Sequence, residues 1–228
     1  MTDNEATRQV MAISPTAAWL SIAAVITYQV MLIALIFIRP DLDPSWHTIS
    51  EWAIGRHGWI MSLAFLVSAL SYGSLFVAIK SQAPNTWGKI GLALLFICFV
   101  GTVGVGLFTT DPYPPELHLT RRGTAHIISG TSAMVLLPFA ALLINLSLAR
   151  KNKDWLIARR PLLLTAGLPL LAWVGSVVHL IIFVLPMGEY NGPGLQIGYP
   201  PRILFLTYMV WLITLAWQAI KVRRQESS

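Results

Sequence analysis

Five residues have types and placements that could do chemistry: Ser50, Glu51, Asp111, His126 and His179. His179 is flanked by Val177, Val178, Leu180 and Ile181, inside an apolar run. An ionisable group inside such a run normally faces other helices and needs a partner. Asp111 closes an earlier run, Leu107-Phe108-Thr109-Thr110-Asp111-Pro112. Pro112, Pro114 and Pro115 fix the backbone after it. His126 opens the next run, and Ser50 and Glu51 lie in His47-Thr48-Ile49-Ser50-Glu51-Trp52 between the first two. Two histidines and a carboxylate can hold zinc while leaving a position open for water, whose pKa then falls toward about 7. On that reading Asp111, His126 and His179 are the metal ligands, and Ser50, Glu51 and Asp111 carry the catalysis of a lipid hydrolase. The same two histidines could instead be axial ligands of a haem in an electron-transfer protein.

Each residue also has a plain structural reading. His179 can be a neutral imidazole bonded to a neighbouring helix, and His126 can cap a helix or meet headgroups. Arg121 and Arg122 can anchor a helix at the interface or grip a phosphate headgroup. A non-catalytic role needs none of this chemistry: binding a lipid or small amphipathic ligand, assembling with a membrane partner or a second copy, or transport. Pro138 and Pro169 interrupt two apolar runs, as broken helices do in transporters. No H-E-x-x-H, G-x-S-x-G or C-x-x-C pattern occurs.

The elements that must position these groups follow from composition. Of the 228 residues, 55% are hydrophobic and 11% charged, less than half the charge of an ordinary soluble domain at about 25%. Mean hydropathy is +0.65. A soluble enzyme, a disordered chain and a disulfide scaffold are excluded on this basis. The net charge of +6 and pI near 9.8 read as membrane orientation rather than nucleic-acid binding, because the basic residues flank apolar runs. Cys98, the single cysteine, has no partner for an intrachain disulfide and reads as a small buried residue.

A bilayer core about 30 Å thick needs roughly 20 apolar residues per helix. Six runs qualify, at about 16–38, 58–79, 88–109, 124–149, 161–186 and 202–221. The first is too long for a signal-peptide core and lacks a cleavage pattern, so it is expected to be retained. The fold class is thus an all-α polytopic bundle. Residues 1–15 precede it, 16–221 form a single transmembrane domain, and 222–228 are a basic tail. Gly101, Gly104 and Gly106 in the third run should let helices approach closely. Gln29 is expected to bond across helices. Trp19, Trp87, Trp155 and Trp217 should mark one interface, and Trp46, Trp52 and Trp59 the other.

Lysine and arginine set the direction. Arg8, Lys80, Lys89, Arg150, Lys151, Lys153, Arg159, Arg160, Lys221, Arg223 and Arg224 fall on the side of the termini, against Arg39, Arg56, Arg121, Arg122 and Arg202 on the other. Eleven against five places both termini in the cytoplasm of a multi-pass plasma-membrane protein. The longer connections 39–57, 110–123 and 186–201 are then extracytoplasmic. With them go all five histidines and six acids: Asp41, Asp43, Glu51, Asp111, Glu116 and Glu189. Asp111 and His126 should lie close together, because a short connection joins their spans. His179 should face the interior beneath a cap from the last of these loops, where Glu189, Tyr190 and Asn191 could supply polar groups.

The stretch Ile49-Ser50-Glu51-Trp52-Ala53-Ile54-Gly55, then Gly104-Val105-Gly106-Leu107-Phe108-Thr109-Thr110-Asp111, then Gly123-Thr124-Ala125-His126 resembles the bacterial and archaeal membrane family known as domain of unknown function 998. The likeness spans about residues 16–220. Its pattern is a serine after the first span, a third span ending in Phe-x-x-Asp, and a Gly-x-x-His opening the fourth. The resemblance implies a compact bundle of about six spans in a bacterial or archaeal inner membrane, and places Ser50, Asp111 and His126 at motif positions. It supplies no activity or cofactor. A distant similarity to eukaryotic lipid-remodelling membrane proteins points toward lipids as partners.

The charge asymmetry is testable by cysteine labelling in intact cells. Cysteines introduced at Ser81 and Lys153 should react only with a membrane-permeant reagent, and those at Glu116 and Asn191 with an impermeant one. The opposite pattern would reverse the orientation.

Overall fold

The computed structural model describes residues 13–112, 119–188, 192 and 194–226. Six apolar stretches are long enough to cross a membrane, and no strand occurs among the described residues. The first four are single helices: α1 (Pro15–Ile38), α2 (Gly58–Ile79), α3 (Thr86–Leu107) and α4 (Arg121–Lys151). The last is α7 (Tyr199–Glu226), which runs on through residues read as a tail. Their ends obey capping chemistry. Ser14, Asn85 and Thr120 each accept a backbone N–H from the first turn of α1, α3 and α4, groups left unpaired by the helix itself.

The fifth span departs from the expected single helix. It runs as a 3₁₀ turn (Lys153–Ala158), α5 (Arg159–Ala166), α6 (Leu168–His179), a π-helical turn (Leu180–Val184) and a final 3₁₀ turn (Leu185–Met187). Pro169 has no N–H for the carbonyl four residues earlier, so the ladder breaks near Gly167. Such a break is tolerated in hydrocarbon only where neighbours satisfy the freed groups. Asn145 of α4, completely buried, braces the segment just before the break. Its Nδ2 donates to the Leu162 carbonyl (2.9 Å) and to Thr165 Oγ1 (3.3 Å), while Oδ1 accepts from Trp211 Nε1 of α7 (3.0 Å). One amide thereby ties three spans together.

Beyond the break the span stands away from the bundle. Only 11% of its most apolar stretch is buried, against 28–50% in the other five. Gly167 and Gly175 have nothing near their missing side chains. The α3–α4 pair is the opposite case. A Cβ on Gly101 would meet the Ser129 carbonyl at 2.7 Å, one on Gly91 would meet Ile144 at 2.8 Å, and Gly88 and Gly104 lie against Ser147 and Ser129. The close approach expected at Gly101 and Gly104 is present, and Gly106 packs on Leu66 of α2.

Two expectations need correction. Gln29 Nε2 is buried without a protein partner among the described residues, so no interhelical bond forms through it. Trp52 and Trp155 are core residues, not interfacial anchors, at 3% and 0% exposure. Trp155 donates to Gln82 Oε1 at 3.2 Å, and Trp52 lies under the Arg202 guanidinium at 4.5 Å. Trp19, Trp59, Trp87 and Trp217 are exposed as expected.

Asn145→Ala would leave Trp211 Nε1 without its acceptor and take one donor from the Leu162 carbonyl. It should lower stability by about 1–3 kcal/mol, read as a fall in the thermal unfolding midpoint in detergent. Asn145→Gln, which keeps the amide, should lose less. An unchanged midpoint in Asn145→Ala would show that the broken span is held by other contacts.

Candidate functional site

The end of the bundle away from the termini is organised by two polar clasps. In the first, the connection 39–57 folds onto the start of α7. Arg202 Nη1 donates to the His47 carbonyl (3.0 Å) and the Gly198 carbonyl (2.7 Å), and Gly198 N–H donates to the Ser45 carbonyl (2.9 Å). Gly198 packs against the Pro44 carbonyl, where no side chain would fit. Arg39 spans the base of the loop, donating to the Ile54 carbonyl (2.7 Å) and pairing with Asp41 (2.7 Å). The Arg39 hydrogen bonds hold the exposed Asp41 carboxyl below its usual range, and the Ser45 N–H does the same for Asp43.

Glu51 belongs to this clasp. Its Oε1 accepts from Thr48 N–H (3.0 Å) and Thr48 Oγ1 (2.9 Å), capping the 3₁₀ turn Ile49–Ala53. Its Oε2 lies 3.9 Å from His47 Nε2, and His47 stacks on Trp46. Ser50 Oγ is 3.3 Å from Thr48 Oγ1. The Thr48 hydroxyl proton already points to Glu51, so Ser50 is the donor of this pair.

The second clasp explains the spacing of Phe-x-x-Asp and Gly-x-x-His. Asp111 Oδ2 accepts from Thr120 N–H (2.8 Å) and Oδ1 from Thr120 Oγ1 (2.7 Å). Its charge thus sits at the α4 N-terminus, where the helix dipole favours an anion. The carboxylate rests on Gly123, and any larger residue there would collide with it. One turn later His126 Nδ1 meets the Phe108 carbonyl at 2.7 Å. A carbonyl only accepts, so Nδ1 carries the proton. Asp111 and His126 thus act on the same helix start, as the short connection between their spans requires. Tyr113 to His118 lie outside the described residues, as do Glu189, Tyr190 and Asn191, so the cap proposed from those residues does not enter.

Beneath the clasps is a cavity of about 350 Å³ with walls from all six spans. Thr48, Ile49 and Ser50 lie at its mouth, with His126 of α4 and His179 of α6. It descends to Tyr72 of α2 and Met134 of α4, roughly 20 Å along each helix from its near end at 1.5 Å per residue. That depth is well into the core of a bilayer about 30 Å thick. The walls are mostly apolar, and no Asp, Glu, Lys or Arg lines them among the described residues. His126 is buried and packs edge-on against Phe65. His179 is half-buried at the end of α6, and its ring lies beside Phe183 (5.4 Å). It faces the cavity as expected, yet no hydrogen bond reaches it among the described residues, so the packing-histidine reading lacks its partner.

The site residues therefore divide. Ser50, His126 and His179 come together around one cavity, whereas Glu51 and Asp111 are spent on the clasps. Among the described residues no three His, Cys, Asp or Glu side chains are grouped to hold a metal ion, so the expected Asp111–His126–His179 ligand set is not assembled.

Sequence reasoning missed Tyr28, Tyr72 and Tyr208, which line the cavity with Ser68 and Thr102. The signal was available. Tyrosine favours the membrane interface, and these three lie well inside their spans.

A bundle of six apolar helices whose Phe-x-x-Asp and Gly-x-x-His stretches clasp one another defines a class of multi-pass membrane protein. Within that class, the family model described as "Protein of unknown function (DUF998)" matches residues 21–218, and the chain belongs to this family. No curated protein and no solved structure matches it.

Removing the Asp111 carboxylate (Asp111→Ala) should cost about 1 kcal/mol through the lost cap and leave the cavity's contents unchanged. Thermal unfolding and mass spectrometry of the organic extract would check both. A large change in bound material would return Asp111 to the site itself.

Proposed function

We propose that this protein holds one chain of a lipid or similar amphipathic ligand between its spans, in the extracytoplasmic half of a bacterial or archaeal inner membrane. The observation that carries the reading is the cavity: its walls are mostly apolar, with hydroxyls and two histidines among them, and it reaches about 20 Å into the bundle. Its volume lies at the small end of the range for ligand sites, about 300–1,000 Å³. That suits a single hydrocarbon chain better than a two-chain phospholipid. The basic-residue asymmetry supports an extracytoplasmic mouth. The thinly packed fifth span supports entry from the bilayer, because α6 and the π-helical turn form one wall and present their other side outward.

Ala133 lines the cavity near its floor, beside Met134, and Leu171 points away from the bundle at 70% exposure. Ala133→Phe should fill the cavity and reduce co-purifying lipid at least about fivefold, a loss of roughly 1 kcal/mol of binding. Leu171→Phe should leave it unchanged. Extraction of the purified protein in mild detergent with quantitative mass spectrometry gives the readout. Equal lipid content in both variants and the parent would reject the reading.

A further inference from the structure

The connection between the fourth and fifth spans carries five cations, Arg150, Lys151, Lys153, Arg159 and Arg160, against one acid, Asp154. All six are exposed, and among the described residues no ion pair reaches any of the five. Arg150 and Lys151 have a structural reading: they lie in the last turn of α4, where the helix dipole favours cations. Arg159 and Arg160 open α5, the end where the dipole disfavours them, and no acid lies in that first turn. The α4 helix also opens on an arginine pair, Arg121 and Arg122, and there Asp111 brings a carboxylate to the helix start. The turn before α5 is held firmly. Trp155 is fully buried and donates to Gln82 Oε1 (3.2 Å), and Asn152 donates to the Gln82 carbonyl (3.1 Å) while accepting the Asp154 N–H (3.1 Å). Leu156 and Ile157 are thereby turned outward, at 59% and 46% exposure. Arg160 and Leu164 share an exposed face of α5, and the apolar exposure continues through Leu168 and Leu171 of α6.

We propose that this surface binds an anionic phospholipid of the leaflet on the side of the termini. Arg159 and Arg160 take its phosphodiester, and its chains lie along Leu164, Leu168 and Leu171. The site is separate from the cavity and does not rest on the reading given for it. A guanidinium fork matches the oxygens of a phosphate in pairs. Lys151 and Lys153 add attraction for net negative charge, which salt screens. A zwitterionic lipid offers the same phosphate but brings an ammonium among five cations. A soluble phosphate leaves the apolar strip beneath the arginines uncovered, whereas a lipid covers both parts, the pairing of basic and apolar groups that seats a segment at a membrane interface. Because Gln82 already fixes the turn, binding has little backbone left to order.

Native mass spectrometry of the full chain in mild detergent, with phosphatidylglycerol and phosphatidylcholine of matched chains offered in equal amounts, gives the ratio of the two bound lipids. The parent protein should favour phosphatidylglycerol by about fivefold or more at low salt and lose most of that preference at high salt. Excess glycerol 3-phosphate, which has the charge but no chains, should not compete. Arg159→Gln with Arg160→Gln should bring the ratio to within about twofold of unity. Lys80→Gln with Lys89→Gln removes the same charge from the neighbouring connection on that side and should keep the preference. No preference in the parent, or an equal fall in both double variants, would overturn the assignment to Arg159 and Arg160. Displacement by glycerol 3-phosphate would overturn the lipid as occupant. Loss of the preference in Ala133→Phe would put the lipid in the cavity and overturn the separate site.

Discussion

The architecture depends on how one buried amide is satisfied. Hydrocarbon offers no hydrogen bonds, so a span can break only where protein groups replace the lost ones. Asn145 braces the fifth span just before its break, at the Leu162 carbonyl and the Thr165 hydroxyl, and is itself held by Trp211. On the near side of that point α5 is packed, with Leu162, Thr165 and Ala166 buried. On the far side α6 buries only Pro169. The space left between α6 and the other spans is the cavity. A continuous, well-packed fifth helix would close it.

The rest of the bundle is built to keep that space open without losing order. Glycines at 88, 91, 101 and 104 set α3 directly against α4, where backbone contact and dispersion replace the hydrophobic driving force that lipid removes. The clasps at Asp111–Thr120 and Arg202–His47 then fix the end where the chain would otherwise be loosest. Each uses charge where it is cheap, at a helix N-terminus or over an indole face. Among the described residues, no Asp, Glu, Lys or Arg lines the cavity. The chemistry of the molecule is thus partitioned: ionised side chains shape the mouth from outside, and hydroxyls and imidazoles face the interior.

This partition reassigns the family motif. Of its residues, Asp111 and His126 first read as metal or catalytic groups because histidine and aspartate often serve those roles. In the folded chain Asp111 and Gly123 form a joint between two helices, and His126 spends one nitrogen on the same joint while presenting its ring to the cavity. The requirement for glycine at 123 comes from the carboxylate that lies on it.

The sequence by itself determined the class of structure, because length and hydropathy leave few choices in a bilayer: five of the six spans are single helices close to the expected bounds. The close helix contacts at Gly101 and Gly104 and the inward face of His179 were also legible, since small residues pack and ionisable ones avoid lipid. Hydrogen-bond allegiance was decided by tertiary structure alone. Asp111 and Glu51 carry the same carboxylate whether they serve a reaction or cap a turn, and only the position of Thr120 and Thr48 chose between these. Asn145 is the hub because Leu162, Thr165 and Trp211 arrive from two other spans. The cavity, too, is a relation among six helices. Its polar inventory includes three tyrosines up to 180 residues apart in the chain, and no local pattern encodes a distance in space between them.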